Sequence, residues 1–131
     1  MKFAKVVFLV AGIYGLLVLL PQYFLEDYNG RNYPPRITHP EYFYGFIGVA
    51  VAWQVLFLIL ARDPVRFRPL MIPAVLEKLG FGVAAVILYL QHRVSPVVLV
   101  PAALDLILAA LFVVAYAKTP AGRESKGKQA G

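Results

Sequence analysis

Residues 69–117 read PLMIPAVLEKLGFGVAAVILYLQ, then HRVS, then PVVLVPAALDLILAALFVVAYA, two long apolar runs held apart by a short polar link. An α-helix rises about 1.5 Å per residue, so a run of about 20 apolar residues crosses the roughly 30 Å hydrocarbon core of a bilayer. A water-soluble domain hides its apolar residues in periodic stripes, whereas these runs are apolar nearly all round. The link allows only a tight reversal, which makes the two helices antiparallel neighbours.

Toward the N-terminus the same signal recurs twice, so four membrane-spanning helices are expected at about 3–20, 42–61, 69–91 and 96–117. The first run follows Lys2 and Lys5 as a signal peptide would, but it ends in LLPQYF with no small-x-small cleavage site. It therefore reads as an uncleaved span. Composition agrees, since 60% of the chain is hydrophobic and only 15% is charged, a balance that excludes an ordinary soluble domain. The expected fold is all-α, an integral membrane four-helix antiparallel bundle covering residues 1–118.

Between the first two spans, residues 21–40 form the long loop, with turn signals at Asn29-Gly30 and Pro34-Pro35. The segment 119–131 is small, polar and charged, which predicts a disordered tail. Lys2, Lys5, Arg62, Arg66, Arg68, Lys118, Arg123, Lys126 and Lys128 share one side if the spans alternate, against Arg31, Arg36 and Arg93 on the other. The positive-inside rule then puts both termini in the cytoplasm and the 21–40 loop outside. The net charge of +6 is explained by this topology and by anionic lipid headgroups, and no nucleic-acid partner is expected.

Cysteine is absent, which removes disulfides, thiolate metal sites and thiol redox relays. No phosphate loop, nucleophile elbow or zinc-protease helix occurs, and the outer-loop His39, Glu26, Asp27 and Glu41 match no metal spacing. No catalytic residue, metal or cofactor is therefore assigned, and a non-enzymatic role is favoured over an enzymatic one.

Ionisable residues inside a span cost several kcal/mol unless paired or wetted, which makes each a functional candidate. These are Glu77 and Lys78 in the third span and Asp105 in the fourth, with Gln54 and Tyr14 as polar company. Glu77 shares a face with Gly80 and Asp105 one with Ala102 and Ala109, which predicts that both acids point into the bundle. The segments Pro73-Ala-Val-Leu-Glu77 and Pro101-Ala-Ala-Leu-Asp105 echo one another, as inverted repeats do, although common membrane residues also produce such echoes. Gln54 and Glu77 lie at similar depth, so a hydrogen bond between them is expected, while Lys78 either snorkels or pairs with a carboxylate. Gly45, Gly48 and Ala52 form a small-residue stripe suited to helix packing or to a homodimer.

Across nearly its full length the chain resembles the small four-helix DoxX-like membrane proteins of bacteria, in size, span number, long first loop and acids in later spans. The segments that carry the resemblance are EYFYGFIGVAVAWQ, RPLMIPAVLEKLGFG and PAALDLILAALFVVAY. It implies the bacterial inner membrane, and no catalytic motif transfers the quinone or redox roles linked to some members. Small multidrug transporters depend on a glutamate in the first span, where this chain has only Tyr14 as a notable polar residue.

The expected function is non-enzymatic binding of a lipid-like or small apolar ligand between the helices, lined by Glu77, Asp105, Gln54, Lys78 and Tyr14. The alternatives are a proton- or ion-coupled transporter using the same acids, and an accessory subunit of a larger membrane complex.

Overall fold

The computed structural model describes residues 2–120, and among these there are α-helices, short 3₁₀ turns and connecting segments but no strand. Most of the expected 119–131 tail lies outside the described residues. The helices are α1 (Lys2–Leu19), α2 (Glu26–Asn32), α3 (Pro40–Arg62), α4 (Met71–Leu90) and α5 (Leu99–Lys118). Together with flanking 3₁₀ turns, α1, α3, α4 and α5 give four segments of 23 residues, each long and apolar enough to cross a membrane.

Proline sets several boundaries. Pro21 lies in the 3₁₀ turn Leu20–Phe24, and Pro40 occupies the first position of α3, where its missing N–H is no loss. Pro73 and Pro101 fall in the first turns of α4 and α5, each behind a 3₁₀ turn. That placement explains both prolines without a broken helix. Between α4 and α5, His92 adopts φ 59°, the Arg93 amide donates to Leu88 O at 2.9 Å, and the His92 amide donates to Tyr89 O at 2.9 Å. This pair of bonds is the Schellman ending, with histidine in the left-handed position that glycine fills at least cost.

The loop is more ordered than its turn signals suggest. Asn29 and Gly30 lie inside α2 rather than in a turn, and a Cβ on Gly30 would stand 3.4 Å from Arg36 Cα. Asn29 Nδ2 donates to Gln22 Oε1 at 2.9 Å, and the Tyr44 hydroxyl donates to Glu26 Oε1 at 2.9 Å, tying α2 to α3.

The core gathers the first turns of α1 and α4 with the last turns of α3 and α5, through Ala4, Phe8, Leu60, Met71, Ala74 and Ala115. At its centre Phe8 stacks on Phe112 with centroids 4.3 Å apart, and Phe57 meets Phe112 edge-on at 5.1 Å. Hydrocarbon is as apolar as leucine, so inside a membrane such contacts stabilise through close packing and not through removal from water. The outward faces remain apolar, with Leu17, Val49 and Leu90 all exposed. Thr119, assigned from sequence to the tail, is instead buried, and its hydroxyl donates to Ala115 O at 2.7 Å.

The close helix approaches are not at the stripe singled out above. On α3, Ile47, Ala50, Gln54, Phe57 and Ala61 are buried. At about 100° per residue Gly45, Gly48 and Ala52 lie about opposite them. A Cβ on Gly45 or Gly80 meets nothing within 4 Å, one on Gly48 would touch only the Tyr23 hydroxyl at 3.6 Å, and Ala52 is exposed. Instead α1 and α3 meet at Gly12 and Gly15, where a Cβ would strike Leu58 and Gln54, and α4 meets α5 at Gly82, where a Cβ would stand 2.8 Å from Leu106.

Candidate functional site

Above the phenylalanine cluster, the charged side chains of α4 and α5 converge. Lys78 Nζ lies 3.6 Å from Glu77 Oε2 and 3.6 Å from Asp105 Oδ1. The lysine side chain is 6% exposed, against 17% for Glu77 and 18% for Asp105. The cation is thus interior and its two partners reach the molecular surface. Lys78 also stands over the Phe57 ring at 5.2 Å, a contact of the cation–π kind worth up to about 2 kcal/mol when desolvated.

The sequence-predicted residues fall as follows. Glu77, Lys78 and Asp105 form one cluster, and Tyr14 on α1 is within electrostatic reach of Asp105. Gln54 does not hydrogen-bond to Glu77. Its Nε2 donates at 2.9 Å to Ala50 O, one turn back along α3, and its carboxamide fills the notch left by Gly15. Counted from the ends of α1, α3 and α5 and the turn before α4, these residues lie about 12 to 20 Å into the spans. That range is the middle of the hydrocarbon, so polar groups here cannot rely on bulk water.

Two buried oxygens remain without a hydrogen-bond partner, Gln54 Oε1 and Glu77 Oε2. Glu77 Oε2 still faces Lys78 Nζ at 3.6 Å, whereas an unpaired acceptor such as Gln54 Oε1 costs about 1–3 kcal/mol in apolar surroundings. Glu77 lies on the flank of α4 that carries Phe81, whose ring faces Phe46 of α3 at 6.1 Å. Along this side α3 and α4 touch far less than α1 does α3 or α4 does α5, so the acid borders a thinly packed seam.

Sequence reasoning did not single out Phe57 or Gly15. Phe57 is one turn from Gln54 on the same helix face, which was the available signal. A separate cavity of about 320 Å³ lies in the loop, lined by Glu26, Asp27, Gly30, Arg36, Ile37 and Thr38. Among the described residues no group of three or more His, Asp or Glu is arranged to hold a metal ion.

Fold and site together define a multi-pass membrane protein with a charged cluster within its apolar spans. No protein-family model matches the chain, and neither a curated protein nor a solved structure is significantly similar to it.

Proposed function

We propose that this chain is a non-enzymatic integral membrane protein that binds a small lipid-like molecule between its helices, its apolar body along the α3–α4 seam and its polar end at Glu77 and Asp105. The observation that carries the reading is a pair of carboxylates that share a single ammonium, Glu77 Oε2 and Asp105 Oδ1 each 3.6 Å from Lys78 Nζ, and that reach the surface of an apolar segment as acceptors. A polar end bearing hydrogen-bond donors satisfies such acceptors, and an aliphatic body suits the seam.

The arrangement in the membrane is an antiparallel four-helix bundle with both termini in the cytoplasm. The shared core of helix starts and helix ends supports alternating directions, and the bias of Lys and Arg toward the 62–68 connection and the termini supports the orientation. Location in a bacterial inner membrane follows from the likeness to DoxX-like proteins. The outward stripe at Gly45, Gly48 and Ala52 suits a second copy of the chain or a larger membrane complex.

The test is native mass spectrometry of protein extracted from its own membrane. One small amphiphile per chain is expected on the parent and none on Lys78→Met/Glu77→Gln/Asp105→Asn. Equal occupancy of both proteins would contradict the reading.

A further inference from the structure

Two carboxylates face one ammonium within these apolar spans. The other elements around them add no further cation: α1 contributes Tyr14 within reach of Asp105, and α3 contributes the Phe57 ring under Lys78 and the neutral Gln54. With every group ionised the site carries one negative charge in excess, and a low-dielectric interior strongly disfavours an uncompensated charge. A second positive charge therefore belongs to the site besides Lys78. Near neutrality a proton on one of the two acids supplies it, and so does a cationic head that takes the proton's place.

Resting on the binding role above, we infer that the ligand is a cationic amphiphile, a protonated amine on an aliphatic chain, and that its binding releases one proton from the Glu77–Asp105 pair. Geometry fits this class. The carboxylates lie on the surface side of the buried lysine, so an ammonium approaches them without displacing Lys78. Its N–H groups meet carboxylate oxygens that otherwise share one cation, Glu77 Oε2 having no hydrogen bond and only Lys78 Nζ beside it at 3.6 Å. The exchange balances: one cation enters, one proton leaves, and the net charge of the site is unchanged.

The experiment uses the full chain in lipid nanodiscs and two probes with the same tail, dodecylammonium and dodecanol. An alkylamine keeps its own proton near neutrality, its pKa being about 10.4 as for lysine, so any proton released comes from the protein. Binding is read from the emission of Trp53, the single tryptophan, whose ring lies 6.4 Å from Phe57. Proton release is read with an indicator dye in weak buffer, with the uncharged variant Lys78→Met/Glu77→Gln/Asp105→Asn subtracted for simple partitioning into lipid.

Expected are saturable dodecylammonium binding, release of about one proton per chain, and an apparent affinity rising about tenfold per pH unit while the exchanged proton is held. Dodecanol binding at least as tight as that of the amine, without proton release, overturns the cationic ligand and leaves the binding role standing. Amine binding without proton release overturns the exchange. Failure of both probes to bind in excess of the triple variant overturns the binding role itself.

Discussion

Lys78 Nζ stands 3.6 Å from Asp105 Oδ1, a bridge between α4 and α5 made inside apolar spans by a lysine that also touches Glu77 at 3.6 Å. Removing the lysine alone leaves two carboxylates without their cation. Breaking a buried pair from one side costs about 3–5 kcal/mol, whereas replacing all partners by uncharged groups is often nearly neutral. Lys78→Met is therefore expected to lose most of its folded yield at neutral pH and to regain it at acidic pH, where the carboxylates are neutralised. The triple variant Lys78→Met/Glu77→Gln/Asp105→Asn should stay close to the parent at both pH values. Thermal melts in detergent check this, and a Lys78→Met melt indifferent to pH would contradict the bridge.

Glycines divide into two groups by what surrounds them. Gly15 leaves the notch that Gln54 fills, while Gly45 faces open space. Gly15→Ala is expected to cost about 1–3 kcal/mol by overpacking, and Gly45→Ala to stay within about 0.5 kcal/mol for the isolated chain. Adding Gln54→Ala to Gly15→Ala should recover part of the loss. Equal losses for Gly15→Ala and Gly45→Ala would place a second chain on the α3 stripe.

Much of the architecture is legible in the sequence because one physical quantity, uninterrupted apolar length, sets it. The four spans follow from that quantity, and the HRVS link follows from its shortness. The triad is only half legible. Glu77 and Lys78 announce themselves as charges in apolar runs, but which partner a flexible lysine reaches depends on the relative register of α4 and α5, set by contacts such as Gly82 against Leu106. The expected Glu77–Gln54 bond fails for a local reason, since Gln54 Nε2 finds Ala50 O on its own helix. Small residues mark candidate contacts without saying which face is used. Gly12 and Gly15 are used inside the chain, and Gly45 and Gly48 point away.

His92 holds a backbone conformation that glycine adopts at least cost, φ 59° in the Schellman ending of α4. His92→Gly is expected to stabilise by up to about 1 kcal/mol, and His92→Val to destabilise by a similar or larger amount because a β-branched side chain crowds the left-handed region. Melting temperatures in one detergent measure both. Destabilisation by His92→Gly would indicate that the imidazole makes a contact beyond the turn.

Because the chain has no cysteine, topology can be read from single introduced thiols. Asp27 on the loop helix and Arg66 between α3 and α4 are both exposed. In intact cells Asp27→Cys should react with an impermeant maleimide, and Arg66→Cys should react only after permeabilisation. The reverse pattern would invert the orientation.

The most direct measurement of the binding role is the quenching of Trp53 by a bromine-labelled dodecyl amphiphile, titrated into nanodiscs holding either the parent or Lys78→Met/Glu77→Gln/Asp105→Asn. Heavy-atom quenching acts at near contact, and the Trp53 ring is 6.4 Å from Phe57, which lies beneath Lys78. The predicted result is a saturable isotherm for the parent with at least tenfold weaker binding in the triple variant, which still melts as a folded protein. Identical, unsaturable quenching in the two proteins would mean that the probe only dissolves in the surrounding lipid, and would contradict a ligand site at Glu77 and Asp105.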